Sequence, residues 1–146
     1  MTPRLMTPPL FSAMAVGDAL PPLKIGMTAT LIAGGAIATR DFMPVHHDRD
    51  YAKQQGAPDI FMNILSDTGY CTRFLTDWAG PDAMLRNLAI RLGVPVFPGD
   101  DLVYTGEVIA LTVDGDDGMV EVGFRASTPL GEHVTGAARL SLPLDA

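Results

Sequence analysis

Positive charge is scarce in this chain: ten basic residues against seventeen acidic ones leave its 146 residues with a net charge of −7. That balance argues against a nucleic-acid partner, which needs a basic face to neutralise phosphates. Cysteine is scarcer still. Cys71 stands alone, which excludes an internal disulfide or a multi-cysteine metal cluster and suits a reducing, cytoplasmic setting. The three histidines, His46, His47 and His133, have neither HxxxH nor HxH spacing, so no metal site is expected. Phosphate-cradling glycine patterns are missing too, and no apolar run reaches the roughly 20 residues of a membrane helix. Pro3, Pro8, Pro9, Pro21 and Pro22 break the N-terminus, which therefore does not read as a signal peptide. Residues 1–16 are expected to form a loose arm, available to a neighbour.

What remains is one domain, expected over residues 17–146. It is long enough for a real core and too short for two. Hydrophobic residues make up 47% and charged residues 18%, an apolar tilt that suggests buried oligomer surface as well as a core. Charge is uneven: nine acids but only Arg125 and Arg139 among the bases fall from Asp100 onward. A phosphate-bearing partner is therefore expected on the first two-thirds of the molecule.

Residues 59–78 carry Phe61, Ile64, Leu65, Thr68, Cys71, Leu75 and Trp78 at helical spacing. Asp59 after Pro58 marks the start and Gly80-Pro81 the stop. Strand-like runs follow at 88–96, 102–113, 119–128 and 133–142, separated by clusters of Gly, Pro and Asp. An earlier strand or short helix is expected near 26–40. One long helix before a set of antiparallel strands predicts an α+β fold, with a curled sheet wrapped around the helix.

The segment DFMPVHHDRDYA, residues 41–52, carries the chemistry. Asp41 stands five residues before His46, with Met43-Pro44 between them, and proline stiffens the turn by fixing its own φ and restricting the residue before it. A carboxylate and an imidazole held so can bracket one water, as an acid/base pair for adding water to a substrate or removing it.

Asp41-Phe42-Met43-Pro44-Val45-His46 and the later block Arg91-Leu92-Gly93-Val94-Pro95-Val96-Phe97-Pro98-Gly99-Asp100 together resemble the MaoC-like, R-specific enoyl-CoA hydratases of the hotdog fold. The wording ATRDF, VHHDRD, DIF.NIL.DTG, TDWAGP and RLGVP looks closest to the small hotdog subunits of steroid side-chain hydratases. The resemblance implies a single hotdog domain paired with a second hotdog subunit, identical or different. It implies a lyase that reversibly hydrates a trans-2-enoyl-CoA, with Asp41 and His46 activating the water. Backbone N–H groups near Met62, Asn63 and Ile64, at the start of the central helix, would bind the thioester oxygen. No bound cofactor is implied, since CoA arrives as part of the substrate, and Arg40, Arg49, Lys53 and Arg86 are candidates for its phosphates. Two departures stand out. Met43 replaces the family's asparagine, and Met62-Asn63 replaces the His-Gly that opens the helix.

Two alternatives stay open. A non-catalytic hotdog subunit would complete or scaffold a partner's site, and an acyl-CoA thioesterase would need Asp67, not Asp41, to face the thioester. Otherwise Asp67 is expected to cap the helix or contact a partner. His47 is expected to be exposed or structural, His133 at the surface, Cys71 in the core, and Arg91 paired with a carboxylate at the sheet edge.

Overall fold

Alternating apolar and polar residues form five strands: β1 (Ala19–Gly26), β2 (Met84–Leu92), β3 (Asp101–Asp114), β4 (Asp117–Thr128) and β5 (Gly131–Pro143). The structure, a computed structural model, describes residues 7–144. It pairs all five strands antiparallel, in the order β1-β3-β4-β5-β2. Helix α3 (Ile64–Ala79) lies across the inner face, preceded by α1 (Ala29–Ala38) and the short α2 (Arg49–Gln54). The expected curled sheet around one long helix is what forms.

Period-2 burial makes the inner face. Tyr104 and Val108 of β3, Val120, Val122 and Phe124 of β4, and Val134, Ala138 and Leu140 of β5 are all buried. Against them α3 turns Cys71, Phe74, Leu75 and Trp78, which recur at helical spacing on one side. Phe74 stacks on Tyr104 with ring centroids 5.6 Å apart, and Gly106 leaves room for it: a Cβ there would stand 3.2 Å from the Phe74 ring.

Three boundaries differ from expectation, each for a local reason. The central helix starts at Ile64, because residues 59–63 lie outside any helix and are tied to other segments. The Phe61 N–H donates to the Val45 carbonyl at 3.4 Å and the Met62 N–H to the Val96 carbonyl at 3.2 Å. Asn63 caps the helix by accepting from the Ser66 N–H at 3.2 Å, so the cap is Asn63 and not Asp59. The expected strand 88–96 shifts to 84–92: the Gly93 and Val94 N–H groups still donate to the His133 and Glu132 carbonyls at 2.7 and 3.0 Å, but two consecutive donors to one side break the regular ladder before Pro95. The region 26–40 resolves into α1, preceded by β1, a strand masked in the sequence by Pro21 and Pro22. It survives as an edge strand with a register shift between Leu20 and Leu23, the place where proline is tolerated in a sheet.

The expected loose arm is packed from Pro8 onward. Pro8 lies so close over Gly80, and Phe11 over Gly118, that a Cβ at either glycine would clash. The Gly17 N–H continues into the sheet by donating to the Val108 carbonyl at 2.8 Å. Residues 1–6 lie outside the described residues.

Helix α1 ends where the candidate site begins. The N–H groups of Arg40 and Asp41 return to the carbonyls of Ile37 and Ala36 at 3.0 and 2.9 Å, closing the helix over Arg40. That residue has φ 59°, the sole positive φ outside glycine among the described residues. A left-handed residue here turns the chain back so that Asp41 faces α3. A β-branched side chain suits that conformation poorly, so Arg40→Val is expected to cost about 1–2 kcal/mol. Arg40→Gly is expected to change stability by less than about 1 kcal/mol, as relieved strain offsets added chain entropy. Calorimetric melting of the two variants checks both values.

Candidate active site

The structure brings Asp41 and His46 together. Asp41 follows the end of α1, and His46 closes the single 3₁₀ turn Pro44–His46 that Pro44 opens. The His46 Nδ1–H donates to the Phe61 carbonyl at 2.6 Å, a bond that fixes the ring and, in the neutral tautomer, leaves Nε2 as a lone pair. Nε2 stands 3.4 Å from Asp41 Oδ2, with the side chains 10% and 26% exposed. Two acceptors so placed can share a water that donates one hydrogen to each.

Asn63 holds the carboxylate. Its amide Nδ2 donates to Asp41 Oδ2 at 3.0 Å and to Thr39 Oγ1 at 2.9 Å, while its Oδ1 caps α3. Both N–H donors of this buried amide are used, and its oxygen accepts one bond. Thr39 is anchored in turn by donating to the Gly35 carbonyl at 2.8 Å. Gly35 meets Ser66 of α3 at a point where no Cβ would fit, so α1 approaches α3 closely enough for Asn63 to span both helices. The Met43 N–H donates to the other Asp41 oxygen at 3.2 Å. The Asn63 amide and the Met43 N–H, with a lesser pull from His46, lower the Asp41 pKa below its usual 3.8 against an opposing effect of burial, because they favour the ionised form.

The start of α3 also presents unused donors. Neither Asn63, Ile64 nor Leu65 gives its N–H to a partner among the described residues, as expected for a first helical turn. Met62 departs from expectation: its N–H is taken by Val96, so Leu65 replaces it among the available donors.

The candidate phosphate-binding residues divide. Arg40, Arg49 and Lys53 are exposed on the segments that flank the pair in sequence, and Arg49 is held by Asp59 at 2.9 Å. Arg86 lies apart. It bonds Ser141 and Asp117, about 20 Å along β2 from Leu92 at the usual strand rise. That places it toward the far end of α3. Arg91 makes no ion pair among the described residues.

His47 is exposed, as expected, and its Nε2 stands 3.3 Å from the Phe42 carbonyl. Cys71 is core, with burial the main cause that pushes its thiol up to about 12. His133 and Asp67 correct their expectations. His133 is 3% exposed, and its Nε2 meets Asp67 Oδ1 at 2.5 Å in the core. Asp67 has no exposed surface, so it faces no thioester, and the thioesterase alternative loses its base. The sequence carried a signal for Asn63, an Asx residue directly before an apolar periodic run. It carried none for Asp67 and His133, which are 66 residues apart.

No protein-family model matches the chain. It is 47% identical over 127 residues, 87% of its length and 95% of the relative's, to the 3-oxo-4,17-pregnadiene-20-carboxyl-CoA hydratase beta subunit of Mycobacterium tuberculosis (strain ATCC 25618 / H37Rv). The crystal structure of the ChsH1-ChsH2 complex from Mycobacterium tuberculosis superposes with a TM-score of 0.82 at 47% identity, over 88% of this chain and 98% of that one. R-Hydratase PhaJ1 from Pseudomonas aeruginosa shares the fold, with a TM-score of 0.80 at 22% identity over 93% and 86% of the two chains.

Proposed function

This chain belongs to the MaoC-like enoyl-CoA hydratases of the hotdog fold, and from that membership we propose that Asp41 and His46 hydrate a steroid side-chain or long-chain 2-enoyl-CoA. The placement of Asp41 Oδ2 beside His46 Nε2 carries this reading, with the unused N–H groups of Asn63, Ile64 and Leu65 beside it. Water shared by the pair loses a proton to one of them as its oxygen bonds to C3. The C2=C3 π bond opens toward the thioester, and the helix-start N–H groups stabilise the oxygen as it becomes enolate-like. The pair, now carrying the proton, returns one to C2, so water is added and the enzyme is unchanged. Dehydration runs the same path backward.

Asn63 takes over the orienting work of the asparagine that Met43 replaces. Ile37, Phe42, Met43, Ile64 and Leu65 are exposed on the segments that carry Asp41 and Asn63, an apolar setting for a bulky acyl group and for a second hotdog subunit. Arg40, Arg49 and Lys53 are assigned to the CoA phosphates. The reading calls for no cofactor beyond that CoA. The non-catalytic alternative, a scaffold for a partner's site, is disfavoured by an assembled acid/base pair on this chain.

The test is hydration of crotonyl-CoA, a long-chain enoyl-CoA and a steroid enoyl-CoA, with and without a candidate partner hotdog chain. The steroid or long-chain substrate is expected to give the highest kcat/KM. A clear preference for the four-carbon substrate would refute the bulky-substrate reading, and no hydration under any condition would refute the reaction.

Asn63 variants separate its two tasks. Asn63→Ala removes the cap and is expected to cost about 1 kcal/mol of stability. Asn63→Asp keeps a capping oxygen but sets a carboxylate against Asp41, so kcat/KM is expected to fall by about a hundredfold. The pH profile reports the sign: the wild-type site holds Asp41 ionised below its usual range. Both substitutions should therefore move the acid limb to higher pH. An unmoved limb would mean that Asn63 does not govern Asp41.

A further inference from the structure

The lead-in to α3 is cross-linked on several sides, and one link passes through the core. His133 of β5 donates from Nδ1 to the Val94 carbonyl at 2.5 Å, and its Nε2 meets Asp67 Oδ1 at 2.5 Å. A carbonyl only accepts, so Nδ1 carries a hydrogen, and one further proton lies between Nε2 and the carboxylate. The connector after Val94 returns to the helix two residues later, where the Val96 carbonyl accepts the Met62 N–H. On the helix itself the Asp67 N–H donates to the Asn63 carbonyl at 3.1 Å. The links close a ring: Asp67, His133, Val94, Val96, Met62, Asn63 and back to Asp67. Inside it sits the first turn of α3, with the Asn63 side chain on Asp41 and the unused N–H groups of Ile64 and Leu65.

Apolar side chains would fill this core at least as stably as a buried acid and imidazole. Directional bonds, unlike apolar contacts, set the rotation of a helix about its axis. The pair is also sealed. Asp67 and Cys71 on α3, Ser66 beside them and Tyr104 on β3 are all buried around it, and Tyr70 is the remaining titratable neighbour of that cluster. Substrate cannot reach these groups, so any effect on turnover must pass through Asn63 and the helix start.

We propose that Asp67 and His133 are positioning residues for the hydration site, fixing the first turn of α3 so that Asn63 orients Asp41 and the N–H groups of Ile64 and Leu65 meet the thioester oxygen. This rests on the hydratase reading for its kinetic half only. Asp67→Ala and His133→Ala break the ring; Asp67→Asn keeps it, because an amide N–H can donate to Nε2 of a neutral His133 that still donates to Val94. Kinetics are measured in the presence of the partner chain, well below each variant's melting temperature. Asp67→Ala is expected to lower kcat by about a hundredfold with KM changed far less, and Asp67→Asn to recover most of the loss. A loss confined to melting temperature, with kcat intact, would overturn the proposal. So would an Asp67→Asn variant as impaired as Asp67→Ala, since geometry would then not be the cause.

The second arm needs no activity. The side-chain amide signals of Asn63 in a ¹⁵N NMR spectrum are expected to shift in Asp67→Ala and return toward wild type in Asp67→Asn. Unshifted Asn63 signals in Asp67→Ala would overturn the proposal even if the hydratase reading fails, whereas a wild-type protein that hydrates nothing would leave this arm standing.

Discussion

Asp41→Asn and His46→Ala are each expected to lower kcat/KM for enoyl-CoA hydration by about a thousandfold, and the double variant to be little worse than either alone. The magnitude is that of a lost acid/base group. Non-additivity follows from geometry. Oδ2 of Asp41 and Nε2 of His46 are 3.4 Å apart, close enough for one water to serve both, and once either partner is gone the water is no longer held. Groups that act as a unit fail as a unit. Disappearance of the conjugated enoyl chromophore gives the rates, and strictly additive losses would show two independent roles. The single variants should fold. Asp41 is partly exposed, and asparagine keeps its shape. His46→Ala gives up the bond to Phe61 and the edge contact with that ring at 5.0 Å, so its melting curve must be taken alongside.

Phe74→Ala is expected to have the largest effect on stability, about 4 kcal/mol. Phe74 is 2% exposed at the middle of α3. It stacks on Tyr104 and tilts against Phe124 at 6.2 Å. The sheet is hollowed to receive it: Gly106 lies beneath the ring, and Gly136 gives the same freedom to Phe124. A seat floored by glycine backbone cannot close over the cavity left by truncation, which puts this site toward the costly end of its class. The melting temperature should fall by roughly 10 °C or more. Arg73→Ala, next to it on the exposed side of the same helix, should change stability by less than about 0.5 kcal/mol. Equal losses for the two would mean that α3 does not dock on the sheet as described.

Period and punctuation made most of this fold legible. Phe61 to Trp78 announced the helix, and the Gly and Asp clusters announced the hairpins of β3, β4 and β5, because those signals are local. Where the reading slipped, a distant partner had overruled a local rule. Asp59 looked like a cap, yet the Phe61 and Met62 N–H groups are taken by Val45 and Val96, so Asn63 caps instead. Pro21 and Pro22 looked like breakers, yet β3 holds them in a strand. Asp41 and His46 could be read as a pair because a five-residue turn keeps them near each other. The contact of Asn63 with Asp41 spans 22 residues, and that of His133 with Asp67 spans 66. No periodicity encodes either. The departure at Met43 is local and legible, whereas the Asn63 amide that meets Asp41 comes from the start of another helix.

The prolines of β1 bear on how large an assembly this chain can build. A five-stranded open sheet has two borders, here β1 and β2, and each is a template on which another strand can dock. Pro21 and Pro22 take N–H donors out of β1, and the register shift beside them interrupts its regular spacing. β2, which carries no proline, keeps every backbone donor of its border and is the better template for another strand. Growth that uses one border would stop after a single step, when the two open borders have met each other. Open-ended stacking needs two usable borders, and the prolines of β1 make one of the two a poor one.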